Sequence, residues 1–376
     1  MAAGTTRKIS AASARNHTRK PRARTPSKFS GVMKKILLVA FVGFLAIIYQ
    51  KIKPPSPKIC GSADGPPVTA PRIQLKDGRH LAYKESGVPK DIAKHKIVFI
   101  HGTAGSRHHV SLLTAYLSPD IIESKGIYIV SLDRPGYGES DPHPGRTPKS
   151  LALDIEQLAD QLGLGSKFYV IGFSMGGQAV WGVLKYIPHR LQGAALVAPV
   201  VNYWWPSFPS NVSKQAYGTQ PLPDQWAVRV ARYAPWLMYW WNSQKLFPGS
   251  RVLASDPVVF SDSDKQLLPR LFLTIKDNPA NPGFPWQQGE FESLHRDMIV
   301  GFGRWEFDPM EIEDPFPEGE GSVHLWHGDA DAIVPVSLQR YVASKLPWIR
   351  YHELAGDGHM FILGDGKSDS VIRALI

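Results

Sequence analysis

The sequence predicts an α/β fold in which a doubly wound, mostly parallel sheet carries an inserted helical segment. Two observations indicate this class. From residue 71 onwards, short runs of β-forming residues alternate with helical segments, which is typical of parallel sheets with right-handed crossovers. In addition, about 120 residues of distinct composition separate two of these strands, too many for a simple loop in a compact domain.

Length and charge limit the class of protein. With 376 residues, the chain can form one large domain with an insertion, or two ordinary domains. The formal net charge is +10, but residues 1–63 hold 13 Lys or Arg and no Asp or Glu, which leaves 30 basic and 33 acidic residues elsewhere. Because the folded part is not basic, we expect no nucleic-acid partner. The single cysteine, Cys60, excludes an internal disulfide and a thiolate metal cluster.

Near the N-terminus, "MKKILLVAFVGFLAIIYQKIK" predicts a membrane anchor. It contains 14 consecutive apolar or small residues at 36–49. If the flanking lysines extend to the interface, residues 32–52 form a helix of about 31 Å, enough to cross a hydrocarbon core of about 30 Å. Seven Lys or Arg lie in the 20 residues before Ile36. This bias places the N-terminus in the cytosol and the main domain across the membrane.

Three alternatives to an anchor remain open at this point. A cleaved secretory signal fits the length of the apolar run, although 35 residues precede it. A transit peptide fits the basic, acid-free composition, and a buried core helix is disfavoured by the basic, proline-containing flanks. We expect a single-pass anchor in the endoplasmic reticulum or another endomembrane rather than a plastid. The predicted order is a basic disordered N-terminus at 1–31, the anchor at 32–52 and a linker at 53–70.

The globular part begins at residue 71 with a predicted hairpin. "RIQLKDG" and "HLAYKES" are two strands that turn at Asp77-Gly78. "KIVFI" predicts a strand buried on both faces, followed by a helix near 108–116, the strand "IYIVSLD", a helix at 150–162, the strand "FYVIGF", a helix from Ser174 and the strand "GAALVAP". After the insertion come "SVHLWHG", a helix near 336–346 and "RYHEL". The predicted core is thus 71–200 with 322–376.

The insertion, residues 201–321, is predicted to be a small helical lid. It holds eight of the 11 tryptophans: Trp204, Trp205, Trp226, Trp236, Trp240, Trp241, Trp286 and Trp305. Large aromatic side chains are mainly core material. We therefore expect most of them to form the core of the insertion and the rest to line an apolar substrate cavity.

The stretch "FYVIGFSMGGQAVWG" places Ser174 between a predicted strand and a predicted helix. Gly172 and Gly176 permit a close backbone approach that a Cβ atom would block. The turn then presents the Ser174 hydroxyl in a strained conformation, and the N–H of Met175 at the start of the helix faces developing negative charge.

A serine nucleophile needs a base, and the base needs an orienting carboxylate. "LWHGDADAIVP" places Asp329 and Asp331 after one predicted strand, and "GDGHMFIL" places His359 after the last one. The carboxyl ends of parallel strands meet at one edge of a sheet, where Ser174 also lies. Either aspartate can complete a Ser–His–Asp set at this edge.

Together these motifs resemble those of the α/β-hydrolases over residues 71–376. "GFSMGG" resembles the nucleophile elbow of that family, and "FIHGTAGS" resembles the loop that completes its oxyanion hole. "DRPGYGESD" resembles its structural turn after the fourth strand, "HGDADAIVP" its acid loop, and "GDGHMF" carries the histidine. The anchor followed by "GPPVTAPRIQLKDGRHLAYKESG" further resembles plant α/β-hydrolases with an N-terminal membrane anchor.

This resemblance implies a role for each residue. Ser174 is the nucleophile and His359 the base, while the spacing of the acid loop favours Asp331 over Asp329. Backbone N–H groups of Thr103 and Met175 form the oxyanion hole. The remaining candidates are given structural roles or exposed positions: His101, which braces the hole, Asp133, His108, His109, His327 and His352.

The sequence therefore predicts a membrane-anchored serine hydrolase that cleaves an ester or related acyl bond of an apolar small molecule or lipid. The predicted mechanism passes through an acyl-enzyme and needs no metal or organic cofactor. An acyltransferase or thioesterase with the same triad remains an alternative, as does a hydrolase-like ligand receptor with little turnover. An epoxide hydrolase or dehalogenase is disfavoured, because Ser174 occupies the place of their carboxylate nucleophile. The oligomeric state and the identity of the acyl group stay open.

Overall fold

A computed structural model describes residues 1, 4, 28–274 and 283–376. Two compact units divide the chain, Met1–Lys51 and Ile52–Ile376. The helices, in chain order, are α1 (Lys28–Ile52), α2 (Ser111–Thr114), α3 (Pro119–Lys125), α4 (Pro148–Gln161), α5 (Met175–Tyr186), α6 (Ser210–Gly218), α7 (Leu222–Tyr233), α8 (Met238–Ser243), α9 (Asp262–Thr274), α10 (Arg296–Phe302), α11 (Val336–Lys345) and α12 (Lys367–Leu375).

Helix α1 is the main element of the first unit and starts earlier than the predicted residue 32. Its segment Gly31–Ile52 has 22 residues and a mean hydropathy of 2.2, and none of its most apolar stretch is buried. By length and composition it can cross a membrane or act as a signal sequence. The alternative of a buried core helix is wrong. The predicted disorder of residues 1–31 falls mostly outside the described residues.

The second unit is built on a sheet whose described strands are β1 (Arg72–Gln74), β2 (His80–Gly87), β3 (His95–Ile100), β4 (Ile127–Leu132), β5 (Phe168–Phe173), β6 (Leu191–Val197), β7 (Val323–Gly328) and β8 (Ile349–Leu354). Their order across the sheet is β1-β2-β4-β3-β5-β6-β7-β8. The first two strands form the predicted antiparallel hairpin, and β2 is antiparallel to β4. The pairs from β4 to β8 are parallel. The prediction of a doubly wound, mostly parallel sheet is confirmed.

Hydrophobic cores cover both faces of this sheet, because successive strand residues point to opposite sides. Val98 belongs to the core that contains Trp181, whereas its neighbour Phe99 belongs to the core that contains Phe361. This double burial explains why "KIVFI" is apolar throughout.

The helix predicted near 108–116 is shorter than expected. A 3₁₀ turn at Arg107–Val110 precedes α2, which has only four residues. The backbone N–H of Arg107 donates to the carboxylate of Asp133 (2.6 Å), and the Arg107 guanidinium pairs with Asp133 and Glu139. These buried contacts fix the chain in a tighter turn than an α-helix allows.

Between β6 and β7 the insertion folds as helices α6 to α10, as predicted. The expectation for its tryptophans holds for five of them: Trp205 is buried, Trp204, Trp241 and Trp305 pack against the same core, and Trp286 lines a cavity. It is wrong for Trp226 and Trp236, whose exposed fractions are 45% and 63%.

The predicted linker at 53–70 needs a correction, because its second half belongs to the globular unit. The N–H of Lys58 donates to the Gln288 carbonyl (2.8 Å), and the N–H of Cys60 donates to the Gln288 side chain (2.9 Å). Cys60 is 3% exposed, and its Sγ donates to the carbonyl of Pro67. Thr69 binds Glu139 through its N–H (2.7 Å). Side chains remote in the sequence thus satisfy this segment's backbone groups.

Candidate active site

Ser174 occupies a strained turn between β5 and α5. Its backbone angles are φ 53° and ψ −118°, a region that non-glycine residues rarely adopt. Its N–H donates to the carbonyl of Val197 at the end of β6 (2.8 Å), which helps hold the turn. A Cβ atom on Gly172 would lie 2.4 Å from the Gly176 carbonyl oxygen, and one on Gly176 would lie 2.2 Å from that of Ile100. Both glycines are therefore required by close backbone contacts.

The structure brings Ser174, His359 and Asp331 together in one hydrogen-bonded line. His359 Nε2 lies 2.9 Å from Ser174 Oγ, and His359 Nδ1 lies 2.7 Å from Asp331 Oδ2. All three residues are buried, and they follow the carboxyl ends of β5, β8 and β7 respectively. The other oxygen of Asp331 accepts the N–H groups of Ile333 and Val334, both at 2.8 Å.

This geometry determines the protonation pattern. An ionised Asp331 can only accept, so Nδ1 of His359 donates to it and leaves Nε2 free to accept the Ser174 proton. Burial by itself would lower the pKa of His359, but the charge and hydrogen bond of Asp331 outweigh it and raise that pKa above its ordinary value. For Asp331, burial opposes ionisation, yet the contact with His359 holds its pKa below the ordinary value.

The other candidate acid has a different position. Asp329 is exposed, and its Oδ1 accepts the N–H of Gly356 (2.7 Å). His327 is fully buried beside the acid loop, where its Nε2 donates to the Val334 carbonyl (2.9 Å) and lies 3.4 Å from Asp331 Oδ2. Asp331, not Asp329, is the carboxylate next to His359.

Thr103 and Met175 line the same cavity as Ser174. Within the described part of the chain, neither backbone N–H has a hydrogen-bond partner. The N–H of Met175 is free because the first turn of a helix leaves its donors unpaired. These two donors are available to a ligand atom beside Ser174.

His101 braces the loop that carries Thr103. Its Nε2 accepts the N–H of Arg134 (3.0 Å), so its Nδ1 donates to the carbonyl of Gly102 (2.8 Å). Burial and the neighbouring Arg134 guanidinium hold the pKa of His101 well below its usual value. The ring is therefore neutral and structural.

Asp297, an aspartate of the insertion, is linked to the same loop through Arg134. Arg134 donates to the Gly102 carbonyl (2.9 Å) and pairs with Asp297 of α10 at 2.6 Å. Asp297 also accepts from Arg146 (2.5 Å) and from the hydroxyl of Tyr137 (2.6 Å). Sequence reasoning missed Asp297, because a single acidic residue in a helix carries no motif.

Asp264, in the first turn of α9, is a second missed residue. Its carboxylate accepts the N–H of His359 (3.0 Å) and the N–H of Met360 (2.6 Å). In the sequence, "SDSDK" looks like an ordinary helix start, where acidic residues are common. Only the fold shows that this carboxylate holds the backbone of His359.

A cavity of about 650 Å³ opens beside Ser174 and is lined by both the core and the insertion. Most of its lining is apolar, including Leu112, Phe173, Phe284, Met298 and Phe302. His109 also lines it, and burial lowers the pKa of His109 to about 4. Among the described residues, no group of three or more His, Cys, Asp or Glu is arranged to hold a metal ion.

A family profile described as the alpha/beta hydrolase fold matches residues 96–365 of this chain. The chain belongs to the α/β-hydrolase family. Among curated proteins, the dihydrolipoyllysine-residue acetyltransferase component of the acetoin cleaving system of Cupriavidus necator is 30% identical over 125 residues. That match covers 33% of this chain and 30% of the length of the relative.

Solved structures of other proteins share the α/β-hydrolase fold. A bromoperoxidase from Bacillus anthracis has a TM-score of 0.53 at 18% identity, covering 81% of this chain and 98% of its own. An esterase from Exiguobacterium antarcticum has a TM-score of 0.53 at 16% identity, covering 81% and 99%. At these identities the likeness concerns the fold alone.

Proposed function

We propose that the protein is a serine hydrolase that cleaves an ester or related acyl bond of an apolar substrate. The observation that carries this proposal is the continuous line from Ser174 Oγ through the imidazole of His359 to Asp331. A hydroxyl activated in this way, beside an apolar cavity, suits attack on an acyl carbonyl.

In the first step, Ser174 Oγ attacks the carbonyl carbon while its proton passes to His359 Nε2. The carboxylate of Asp331 stabilises the resulting imidazolium. The free N–H groups of Thr103 and Met175 bind the oxyanion, and the loss of one such donor typically costs about 3–4 kcal/mol in the barrier.

In the second step, His359 returns that proton to the leaving oxygen, and the acyl group remains on Ser174. Water then enters and gives a proton to His359 Nε2 as it attacks the acyl carbon. Collapse of the second tetrahedral species releases the acid and restores the Ser174 hydroxyl. The electron pairs and protons balance without any other reactant.

The apolar lining and helix α1 support an apolar substrate met at a membrane. In this proposal α1 is a single-pass endomembrane anchor and the insertion is a lid over the cavity. The lid supplies Asp264 and Asp297, so its position is coupled to the histidine and to the oxyanion loop.

The test is labelling of the full chain in detergent with a fluorophosphonate probe, alongside Ser174→Ala and His359→Ala. We expect the parent protein to label and both variants to fail, with ester hydrolysis reduced by up to about 10⁶-fold. If the folded parent does not label, or if Ser174→Ala still labels at the same rate, the serine hydrolase proposal is wrong.

A further inference from the structure

Tyr203, Gln220 and Asp224 are among the polar side chains that interrupt the apolar lining of the cavity. Tyr203, Gln220 and Asp224 all come from the insertion, and their exposed fractions are 7%, 8% and 5%. Gln220 and Asp224 are four residues apart around the start of α7. Polar groups this deeply buried are normally hydrogen-bonded.

Here several of the polar atoms lack a partner. Asp224 Oδ1 accepts the hydroxyl of Ser250 (2.5 Å) and the N–H of Val252 (3.1 Å). Its Oδ2 is shielded from solvent and has no partner in the described part of the chain. The Tyr203 hydroxyl and the Gln220 side-chain amide also make no hydrogen bond to any described residue, but they keep accessible surface, where water can bind them. Leaving the buried Oδ2 of Asp224 unsatisfied costs about 1–3 kcal/mol, a cost that a ligand hydrogen bond to it would remove.

The cluster of Tyr203, Gln220 and Asp224 lies within electrostatic reach of the candidate triad. Burial raises the pKa of Tyr203, and Tyr217 and the carboxylates of Asp331 and Asp224 raise it further. Ser174, Tyr203 and Asp224 also line one and the same cavity of about 650 Å³. A single substrate can therefore place its acyl carbon at Ser174 and a second functional group at α7.

We propose that Tyr203, Gln220 and Asp224 bind a hydroxyl group of the substrate, so that the preferred substrate is an apolar ester with a free hydroxyl away from the bond that is cleaved. This inference rests on the proposed function. The hydroxyl accepts from Gln220 or Tyr203, and it donates to Asp224 Oδ2 once a rotation of that side chain turns the shielded oxygen towards the cavity. An ammonium group cannot accept a hydrogen bond, and a substrate carboxylate would be repelled by Asp224.

Binding can be measured without turnover, by calorimetry on full-length Ser174→Ala in detergent. The ligands are a medium-chain alkanol and the methyl ether of the alkanol one carbon shorter, which has the same number of heavy atoms and an oxygen acceptor but no O–H donor. We expect the alkanol to bind about tenfold more tightly, as one buried hydrogen bond predicts. In Ser174→Ala/Asp224→Asn, the amide keeps the acceptor for Ser250 but presents a donor in place of Oδ2, so the preference should disappear. Gln220→Met and Tyr203→Phe should each weaken the preference for the alkanol. Tyr233→Phe, at an exposed tyrosine, is the matched control for Tyr203→Phe and should leave that preference unchanged.

Equal binding of the two ligands, or a preference unchanged by Asp224→Asn, would overturn the inference. Tighter binding of the corresponding alkylamine would also overturn it, in favour of an ammonium ligand. The wild-type protein is then assayed with para-nitrophenyl esters of ω-hydroxy fatty acids and of unsubstituted fatty acids one carbon longer. If alkanol binding shows the preference but neither ester is hydrolysed, the proposed function fails and the binding site stands.

Discussion

The sheet edge and the insertion both hold His359, but they hold different parts of it. Asp331, after β7, binds the imidazole at 2.7 Å, whereas Asp264 of α9 binds the backbone N–H at 3.0 Å. The first contact sets the protonation of the ring and the second sets where the residue lies. In the proposed mechanism the sheet edge thus provides the reacting groups, and the insertion aligns His359.

The two regions also differ in how completely their polar atoms are satisfied. Both oxygens of Asp331 have partners, whereas Asp224 in the insertion leaves one oxygen unpaired. A satisfied site is rigid before any ligand arrives, and an unsatisfied one gains its last hydrogen bonds on binding. In our proposal, reactivity is therefore built into the core while substrate preference is built into the insertion.

The largest expected effect separates the two aspartates of the acid loop. Asp331→Asn should lower kcat by about 10⁴-fold, because the amide stabilises the wrong tautomer of His359. Asp329→Asn, with its exposed side chain, is the matched control and should leave kcat unchanged. Steady-state hydrolysis of a soluble ester measures both. Equal losses in the two variants would contradict the assignment of Asp331.

A smaller effect tests whether the insertion is locked to the core. Asp297→Asn leaves the buried guanidinium groups of Arg134 and Arg146 without a counter-charge, and loss of one partner in such a cluster typically costs about 3–5 kcal/mol of unfolding free energy. Urea unfolding followed by tryptophan fluorescence measures it. Arg340→Gln breaks the exposed pair with Glu353 and serves as the control, with no measurable change expected. A change in Asp297→Asn no larger than in this control would show that the network does not couple the two regions.

The smallest effect concerns the alignment of His359. Asp264→Asn should reduce kcat by up to about 10²-fold through misplacement of the base. The base must be neutral, so kcat/KM rises with pH through the pKa of His359, which lies above the usual value of about 6.5. The charge of Asp264 contributes to that elevation, so the variant should shift the midpoint to lower pH. A loss of rate with an unchanged midpoint would mean that Asp264 positions His359 without setting its pKa, and an unchanged rate would contradict the positioning role.

Much of the core could be predicted because its signals are local. Strand runs such as "KIVFI" and the glycines around Ser174 follow from backbone geometry within a few residues. The pairing of Ser174, Asp331 and His359 follows from the rule that parallel strands end at one edge. Asp331 could be chosen over Asp329 only through the resemblance of the acid loop to that of the α/β-hydrolases.

The insertion could be predicted as helical but not in its contacts. Asp264 and Asp297 act on residues 95 and 163 positions away in the sequence, and no periodicity encodes such a distance. The exposure of Trp226 and Trp236 likewise depends on which face of a short helix meets the core. Residues 58–70 were misjudged for the same reason, since Gln288 and Glu139, which bind them, lie far along the chain.

Because Cys60 is buried, a fluorescent label can be used to test whether the insertion moves. Burial and the nearby Glu139 carboxylate raise the pKa of its thiol to about 11, so at neutral pH almost no thiolate is present to react. Since it is the only cysteine in the chain, the native protein should be silent towards maleimide dyes. A cysteine introduced at Leu246, which is 79% exposed on the insertion, would then carry a fluorophore alone. Changes in its emission on ligand binding would show whether the insertion opens and closes, without replacement of any native residue other than Leu246.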